Sequence, residues 1–455
     1  MRCWNILLRL ISALFVIFLC THSYAQQKLP EGEQDVKNKA YQFFNDENYS
    51  EALPLFSRLL SIYPKDPEFN YAYGVCLVEE NKDLDKALQY FNFTLKNAEI
   101  PGAIYYTGRV WHMKYKFDDA ISYYKQFKEK AKKEDLKKFP VDRQIKMCLS
   151  GKDLIRYVSI LNVEENKIVK SKDFYYSYNI DDFGGKILIK PEEFKTKLDK
   201  KKEKNSENKS LMFLSTELNV VYYSSYGDND KNGKDIYRKV KDNATGEWLP
   251  AENIGNIINT PFDEDFPYIH PDGSTLYFAS KGHNSMGGYD IFKSSYDWEK
   301  NIWSTPVNLD FPTNSPYDDI LYISDSKEDI AYFASNRESG YANVSVYRIK
   351  IDKNPKKKEI ENFEEIIRKS KLEVASPMLS MKDRDEDIKI NEDKNQTTNK
   401  SNFIEGKYTF NEITYSDKLT QDEIYKEAEN DATALNNESK EMQKMAAIVM
   451  HVADK

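Results

Sequence analysis

The chain has 455 residues, a net charge of −8 and a mean hydropathy of −0.72, and 31% of its residues are charged. The length predicts two or three domains, and 32 Tyr and 24 Phe supply apolar surface for their cores. Lysine and arginine are scattered and are outnumbered by acidic residues, 66 against 74, so a nucleic-acid-binding protein is not expected.

Residues 1–25 have the pattern of a secretory signal peptide. Basic residues flank the start of the apolar run Leu10–Leu19, and small residues precede a predicted cleavage site before Gln26. The run is too short to span a bilayer comfortably. Cys20 leaves a lipoprotein signal open as the alternative, but Leu19 stands where such signals have a small residue. We therefore expect an exported protein that is soluble or peripheral to a membrane.

Residues 26–156 predict a helical repeat domain. Small residues recur at a spacing of 34 at Ala40, Gly74 and Gly108, with aromatic residues around them. This spacing is typical of tetratricopeptide repeats, in which paired helices cross closely; an unrelated helical bundle is the alternative. The concave face of such a repeat commonly holds a peptide or a partner helix. Four tyrosines are candidates for partner contact there: Tyr41, Tyr73, Tyr105 and Tyr106.

Residues 157–352 contain a second repeat, with a period of 55 residues. The segments VYYSS, LYFAS and AYFAS follow one another at this period from Val221 onward. A period near 50 residues, built from short aromatic strands and Gly, Asn and Asp turns, predicts the blades of a β-propeller. Three copies are clear, residues 157–205 are the candidate for a diverged fourth, and closure of the ring is left open. The charged stretch 195–209 predicts an exposed loop.

One loop of this repeat resembles the start of a calcium-binding loop. Alternating oxygen-bearing side chains suit a hard cation, and here they are Asp228, Asp230, Asn232 and Asp235. The glutamate expected at the twelfth position is replaced by Lys239. A polar hairpin loop is therefore the favoured interpretation, and no metal is expected.

The acidic cluster at 263–265 raises the question of catalysis, since paired carboxylates can act as general acid and base. The cluster recurs one period later at Asp318 and Asp319, and such repetition favours a structural role. No nucleophile-elbow, phosphate-loop or dinucleotide motif is present in the sequence. We therefore predict no catalytic residue, no cofactor and no small-molecule substrate.

The loops that differ between repeats are where partner specificity is expected. They lie at 227–234, 282–289 and 337–344. In the second of these loops, His283 and Asn284 are candidate partner-binding residues.

Beyond residue 352 the composition changes. Residues 353–419 are rich in Lys, Glu, Asp, Asn and Ser, which predicts a disordered linker. Residues 420–455 have a heptad-like seam of small and apolar residues. This seam predicts an amphipathic helix that either oligomerises or docks on the protein itself.

The stretch FPYIHPDGSTLYFASKGHNSMGGYDIFKSS at 266–295, after a signal peptide and tetratricopeptide-like units, resembles the exported WD40-like (TolB-type) propeller proteins of Bacteroidetes. The resemblance covers roughly residues 26–352. It implies a periplasmic protein at the outer membrane; several relatives carry a peptidoglycan-binding OmpA-like domain, and some serve type IX secretion. We find no OmpA-like pattern beyond residue 352, so peptidoglycan anchoring is not implied.

Together these patterns predict an α+β multidomain protein: an N-terminal α-helical tetratricopeptide solenoid, a WD40-like β-propeller that is few-bladed or incomplete, and a C-terminal helix. The predicted function is a non-enzymatic scaffold, periplasmic and associated with the outer membrane, that binds protein partners of the cell envelope through both repeats. The alternative is a glycan- or cell-wall-binding propeller, in which exposed aromatic residues stack on sugars. Trp248 and Trp303 recur at equivalent positions, which favours core packing over sugar binding.

Overall fold

The computed structural model describes residues 30–374, with the exception of 182, 205, 207, 217, 229–232, 341 and 361. Helices occupy the first part of this range and antiparallel sheets the second, so the protein has a mixed α+β fold, as predicted. The described residues belong to two compact units, 30–76 and 77–374. The predicted signal peptide and C-terminal helix lie outside the described range. No helix within that range combines the length and the apolarity that a bilayer span requires.

Eight α-helices precede the first strand in the described range. They are α1 (Glu31–Asn45), α2 (Tyr49–Ile62), α3 (Pro67–Glu79), α4 (Leu84–Asn97), α5 (Pro101–Met113), α6 (Phe117–Lys130), α7 (Lys133–Lys138) and α8 (Val141–Leu154). Local signals set their boundaries. The Asp83 side chain accepts a hydrogen bond from the Lys86 amide at the start of α4, and Pro101 opens α5, where a helix leaves its first N–H groups unbonded in any case.

Small residues lie where the helices pack most closely. In the first unit, Ala40 of α1 and Ala52 of α2 are fully buried. In the second unit, Gly108 of α5 lies against the ring of Tyr124 on α6, and a Cβ at that position would come within 2.8 Å of the ring. Each of these positions therefore requires a small residue, which is the physical reason for the spacing in the sequence.

Sixteen β-strands are present in the described range. They are β1 (Tyr157–Val158), β2 (Asn162–Lys170), β3 (Gly185–Ile189), β4 (Leu211–Ser215), β5 (Val220–Ser225), β6 (Asp235–Val240), β7 (Glu252–Asn253), β8 (Glu264–Ile269), β9 (Thr275–Ser280), β10 (Asp290–Asp297), β11 (Ile302–Trp303), β12 (Val307–Asn308), β13 (Asp319–Ser324), β14 (Ile330–Ser335), β15 (Asn343–Lys350) and β16 (Lys358–Glu359). Sheet A has the order β3-β4-β5-β6-β7. Sheet B has the order β8-β9-β10, with β11 and β12 both paired to β10. Sheet C has the order β13-β14-β15-β2, and β1 pairs with β16.

Each 55-residue period contributes one antiparallel sheet. The strands β5, β9 and β14 begin at Val220, Thr275 and Ile330, which are 55 residues apart. Tyrosines stack where neighbouring sheets meet: the ring of Tyr277 in sheet B lies 4.7 Å from the ring of Tyr322 in sheet C. The aromatic residues of the repeated strands thus form the core between sheets.

The expectation of a diverged fourth blade in residues 157–205 is wrong. β2 pairs with β15 and completes sheet C, whereas β3 pairs with β4 and extends sheet A. The segment between these two strands places Phe174, Tyr178 and Phe183 in an apolar core shared with all three sheets. The strands of this region are therefore divided between two other sheets, and among the described residues no sheet closes on itself.

The charged stretch 195–209 is not a simple exposed loop, contrary to prediction. It contains α9 (Lys197–Glu203), which begins with a capping box. The Thr196 hydroxyl accepts a hydrogen bond from the Asp199 amide, and the Asp199 carboxylate accepts one from the Thr196 amide. Asp199 also forms a buried ion pair with Lys190 at 3.1 Å. A capping motif and a buried counter-charge therefore make this run helical.

The predicted linker 353–419 begins with ordered structure as well. β16 pairs with β1, and α10 (Phe363–Ser370) begins after Asn362, whose side chain accepts a hydrogen bond from a backbone amide of the first turn. Leu372, just beyond the helix, is buried in the core of the sheets. The linker prediction is therefore wrong for 353–374, because its few apolar residues find partners in the folded body. The remainder of the linker lies outside the described range.

Candidate functional site

Helices α5 and α8 cover the loop between β9 and β10. The Nε2 atom of His112 lies 2.7 Å from the carbonyl oxygen of Met286, and the Arg143 guanidinium donates to the carbonyl oxygen of Lys281. Burial, together with the charge of Arg109, lowers the pKa of His112 to about 3. The ring is therefore neutral near pH 7, and its Nε2–H is the donor to Met286.

The loop between β14 and β15 is also covered by the helical segment of the second unit. The Asn81 side chain donates to the carbonyl oxygen of Asn336 at 2.7 Å, and a Cβ added at Gly340 would lie 3.1 Å from the Glu80 carbonyl oxygen. Met286 of the second variable loop and Gly340 of the third thus face the protein's own helices. The expectation that these loops carry partner specificity is wrong for the residues that make these contacts.

The same hydrogen bonds recur at the two junctions between successive sheets. At the A–B junction, Glu264 accepts from the Thr260 amide, the Thr260 hydroxyl and the Ser280 hydroxyl, each at 2.7 Å. At the B–C junction, Asp319 accepts from the amide and the hydroxyl of Ser315, also at 2.7 Å. Burial raises the pKa of Glu264 to about 7. These buried carboxylates therefore hold connecting segments against strands.

An asparagine extends each junction to the sheet before it. Asn259 accepts from the Ile236 amide at 2.7 Å and donates to the Ile236 carbonyl at 3.0 Å. One period later, Asn314 makes the same pair of bonds with Ile291, at 2.7 and 2.8 Å. Each asparagine satisfies the backbone groups of a strand residue in the way that a neighbouring strand would.

Of the four candidate calcium ligands, Asp230 and Asn232 lie outside the described residues. Asp228 is exposed, and Asp235 accepts a hydrogen bond from an asparagine of β7 at 2.8 Å. The equivalent Asp290 accepts one from an asparagine of β12 at 2.9 Å. Asp235 is thus part of the repeated junction network. Among the residues that the structure describes, no group of three or more His, Cys, Asp or Glu side chains is arranged to hold a metal ion.

The other two members of the acidic cluster are paired with lysines. Asp265 lies 2.6 Å from the Lys234 ammonium and also accepts from the Ser224 hydroxyl, and Asp263 lies 3.0 Å from the Lys281 ammonium. The two Asp265 contacts join sheet A to sheet B. The Asp263–Lys281 pair lies beside sheet B, and Asp263 reaches sheet A by accepting a hydrogen bond from the Lys234 amide at 2.9 Å. The cluster therefore contributes to the A–B junction.

Three of the four candidate tyrosines are buried in the helical core. Tyr73, Tyr105 and Tyr106 are at most 7% exposed. Their side chains are unavailable for direct contact with a partner, so these three predictions are wrong. Tyr41 is partly exposed, with the edge of its ring against Phe56 at 5.1 Å, and its role in partner binding stays a prediction.

The repeated tryptophans pack against other aromatic residues. The Trp303 ring lies 5.9 Å from the ring of Tyr222, and it is 5% exposed. The Trp248 ring lies 5.8 Å from the ring of Phe194. Trp303 lies in a core shared by sheets A and B, and Trp248 packs against a core of sheet A. This agrees with the expectation of core packing and leaves no exposed face of Trp303 for a sugar ring.

An open groove of about 610 Å³ lies beside the A–B junction. It is lined by Asn256, Ile257, Asn259, Thr260, Pro261, Phe262, His283, Thr305 and Pro306. Two apolar side chains of its walls are accessible, Ile257 at 40% and Phe262 at 37%. The floor is held in place because Asn259 and Thr260 are members of the junction network.

The candidate His283 forms part of the groove wall. Its Nε2 atom lies 2.8 Å from the Ile258 carbonyl oxygen, and its ring packs against Phe278 and Phe292 at 5.9 and 5.2 Å. Burial lowers the pKa of His283, so the ring is neutral near pH 7. Asn284, the next residue, is exposed. The structure thus brings one predicted residue into the groove and leaves the other on the adjacent surface.

The two large apolar side chains exposed in the groove, Ile257 and Phe262, were not among the predicted site residues. Ile257 and Phe262 lie in the connection between β7 and β8, among Asn, Gly and Pro residues that predict a polar turn. The Phe262 ring is held in place by the Arg143 guanidinium, 4.2 Å from the ring centre. The only indication in the sequence was the presence of isolated apolar residues in a connection rich in turn-forming residues.

The site is thus a groove with apolar walls, with amide and hydroxyl groups at its rim and a hydrogen-bonded floor. Such an arrangement suits the binding of a chain or a ligand with both apolar and hydrogen-bonding groups. No protein-family model, curated protein or solved structure matches this chain.

Proposed function

We propose that the protein is a non-enzymatic scaffold that binds a protein partner in the groove beside the A–B junction. The observation that carries the proposal is the way the groove is built, with exposed Ile257 and Phe262 above a floor of fixed hydrogen bonds. A preformed site avoids part of the ordering cost of association. The carboxylates nearby are engaged in holding the sheets together, and this favours binding over catalysis.

We infer further that the helical segment is a tetratricopeptide repeat and that sheets A, B and C are an incomplete WD40-like propeller. The buried small residues of the helices and the formation of one sheet per 55-residue period support this inference. The family resemblance extends the proposal to the periplasm at the outer membrane, and to envelope assembly or type IX secretion as the process served.

The partner segment expected in the groove is an extended peptide with apolar side chains. Ile257, Pro261 and Phe262 offer contacts to such side chains, and the amide of Asn256 and the hydroxyl of Thr305 can bond the peptide backbone. Among the described residues that line the groove there is no lysine, arginine or carboxylate, so apolar contacts are expected to supply most of the binding free energy.

Site-specific photo-crosslinking in cells of the source organism tests the proposal. A photoreactive residue at Ile257 is expected to give a discrete adduct with one protein. The matched control is Leu249, which is 45% exposed and lies outside the groove lining. The same adduct from both positions, or none from Ile257, would contradict the proposal.

The partner identified in this way is then bound to the purified protein. Ile257→Asp is expected to weaken binding by about tenfold or more, because it places a charge on a wall that the partner desolvates. Leu249→Asp is expected to leave the affinity unchanged. If a glycan, and no protein, binds in a manner that Ile257→Asp abolishes, the alternative function is supported instead.

A further inference from the structure

The acidic residues of helix α9 face the protein interior, whereas its lysines face solvent. Its acidic residues point into the protein: the Asp199 side chain is 1% exposed and that of Glu203 is 10% exposed. Asp199 binds the Lys190 ammonium at 3.1 Å and the Ser225 hydroxyl at 2.7 Å, and Glu203 accepts from the Ser210 hydroxyl. Folding thus removes these two negative charges from the surface of the helix.

The lysines of the same stretch stay on the surface. The exposed members are Lys197, Lys200, Lys201, Lys202, Lys204 and Lys209. Among the described residues of 191–209, the exposed carboxylates are Glu192 and Glu193, and Glu192 is shared between Lys195 at 2.9 Å and Lys200 at 3.3 Å. A stretch that looks mixed in sequence therefore presents a strongly positive surface, on a chain whose net charge is −8.

The composition of this lysine surface indicates the kind of ligand that it fits. It contains no arginine, so it lacks the planar fork that recognises a single carboxylate or phosphate in a defined geometry. Lysine ammonium groups on flexible stems act as point charges, and clusters of four to eight of them are typical of binding to anionic lipid headgroups. A broad and shallow field of negative charge suits these residues better than one stereospecific anion.

We propose that the α9 lysine surface binds an anionic phospholipid bilayer and holds the protein at the membrane. This inference goes beyond the protein-binding role proposed above and does not depend on the groove. The buried Asp199 and Glu203 fix the helix on sheet A, so the lysines are presented on a folded surface. Attraction is additive over the lysines and decreases with salt, since each exposed charge interacts with the surface potential of the membrane.

The test is sedimentation of the purified mature protein with vesicles. One set contains phosphatidylcholine alone, and the other contains equal parts of phosphatidylcholine and phosphatidylglycerol. The protein is expected to bind the anionic vesicles at low salt, to dissociate as salt is raised, and to leave the neutral vesicles in the supernatant.

The decisive variant changes Lys197, Lys200, Lys201 and Lys204 to Gln. At about fivefold per lysine, the loss of four lysines is expected to lower the partition coefficient onto anionic vesicles by about 600-fold. The matched control changes Lys132, Lys133, Lys137 and Lys138 to Gln. These residues around α7 are equally exposed, but Glu134 and Asp135 lie among them. The control is expected to bind within about threefold of the unmodified protein.

Three results would overturn the proposal: no binding of the unmodified protein to anionic vesicles, equal losses in both variants, or binding to polyglutamate with none to vesicles. The last result would assign the surface to an acidic protein. Circular dichroism melting of each variant confirms that it is folded, and crosslinking from Ile257 shows separately whether the groove retains its partner.

Discussion

The A–B and B–C junctions are built on one plan but carry different charges. At the A–B junction, Glu264 receives hydrogen bonds from hydroxyl groups and an amide, and no lysine or arginine in the described part of the chain forms an ion pair with it. Ser280 donates one of these hydrogen bonds, and Gly282 lies two positions after it. A Cβ at Gly282 would come within 2.1 Å of the Thr260 hydroxyl. The junction leaves no space for a side chain at this position, and burial raises the pKa of Glu264 to about 7.

At the B–C junction, the residue equivalent to that glycine is Arg337. Its guanidinium donates to Asp319, to the carbonyl oxygens of Pro312 and Thr313 at 2.7 and 2.6 Å, and to that of Ser370 at 3.4 Å. Burial lowers the pKa of Arg337, but the charge of Asp319 outweighs this effect and the net pKa is raised. The same backbone arrangement thus accommodates either a carboxyl group of raised pKa or an ion pair. The arginine additionally ties sheet C to α10.

The largest expected effect is the loss of the arginine. Arg337→Met leaves Asp319 buried without its cation and removes the donors to three carbonyl groups. We expect the free energy of unfolding to fall by about 3–5 kcal/mol, measured by chemical denaturation. Arg348→Met is the control, because its pair with Glu164 is partly exposed and is worth at most about 1 kcal/mol. Equal losses in the two variants would show that the B–C junction does not depend on its ion pair.

A second experiment tests the difference in charge between the junctions through the pH dependence of stability. Glu264 has a folded pKa of about 7, above its ordinary value of 4.5, so its contribution to stability is complete below about pH 4.5 and is lost as pH rises through about 7. In the unmodified protein, ionisation of Glu264 is expected to lower the free energy of unfolding by about 2–3 kcal/mol between about pH 5 and pH 8. In Glu264→Gln this part of the pH dependence is expected to be absent. Burial also raises the pKa of Asp290, to about 8. Asp290 therefore makes the free energy of unfolding fall with pH in both proteins.

The measurement is a denaturation series for the unmodified protein and the variant at the two ends of this range. The difference between the two slopes isolates Glu264, because Asp290 is present in both. Parallel slopes would mean that Glu264 is ionised in the folded protein, and that the two junctions differ less in charge than their contacts indicate.

The smallest effect comes from the equivalent asparagines beside the junctions. Asn308 is 4% exposed and bonds Asp290, Asn314 and a backbone amide, whereas Asn253 makes the equivalent bonds at an exposed position. We expect Asn308→Ala to destabilise the protein by about 1–3 kcal/mol, and Asn253→Ala by less than about 1 kcal/mol, since water replaces exposed partners. Thermal melting of the two variants measures the difference. A larger loss in Asn253→Ala would show that burial of the asparagine does not decide its contribution to stability.

Much of the sheet region could be predicted from the sequence, because the 55-residue period is a local pattern. The segment LYFAS lies in β9, and its equivalents β5 and β14 begin one period before and one period after. The position of β2 in sheet C could not be predicted in this way. β2 ends at Lys170 and its partner β15 begins only at Asn343, so this pairing is not part of a local pattern.

The helices in 195–209 and 353–374 were not predicted for a different reason. The capping pair Thr196 and Asp199 and the cap residue Asn362 were present in the sequence as helix-start signals, but the surrounding charge predicted solvated chain. For the groove, the exposure of Ile257 and Phe262 depends on how the β7–β8 connection packs on sheet B. Tertiary contacts decide that packing, and a hydropathy pattern does not contain them.

The pairing of β2 with β15 has a consequence for biosynthesis. Sheets A and B are assembled from strands that lie close together in the chain, so each can pair soon after its last strand is made. Sheet C includes β2, which is synthesised before any strand of sheet A. β2 cannot pair until its partner β15, residues 343–350, has been made. During this interval β2 has an unsatisfied backbone edge, which is open to wrong pairing with another chain. A slow final folding step is therefore expected at sheet C, since closure of so long a loop is entropically costly.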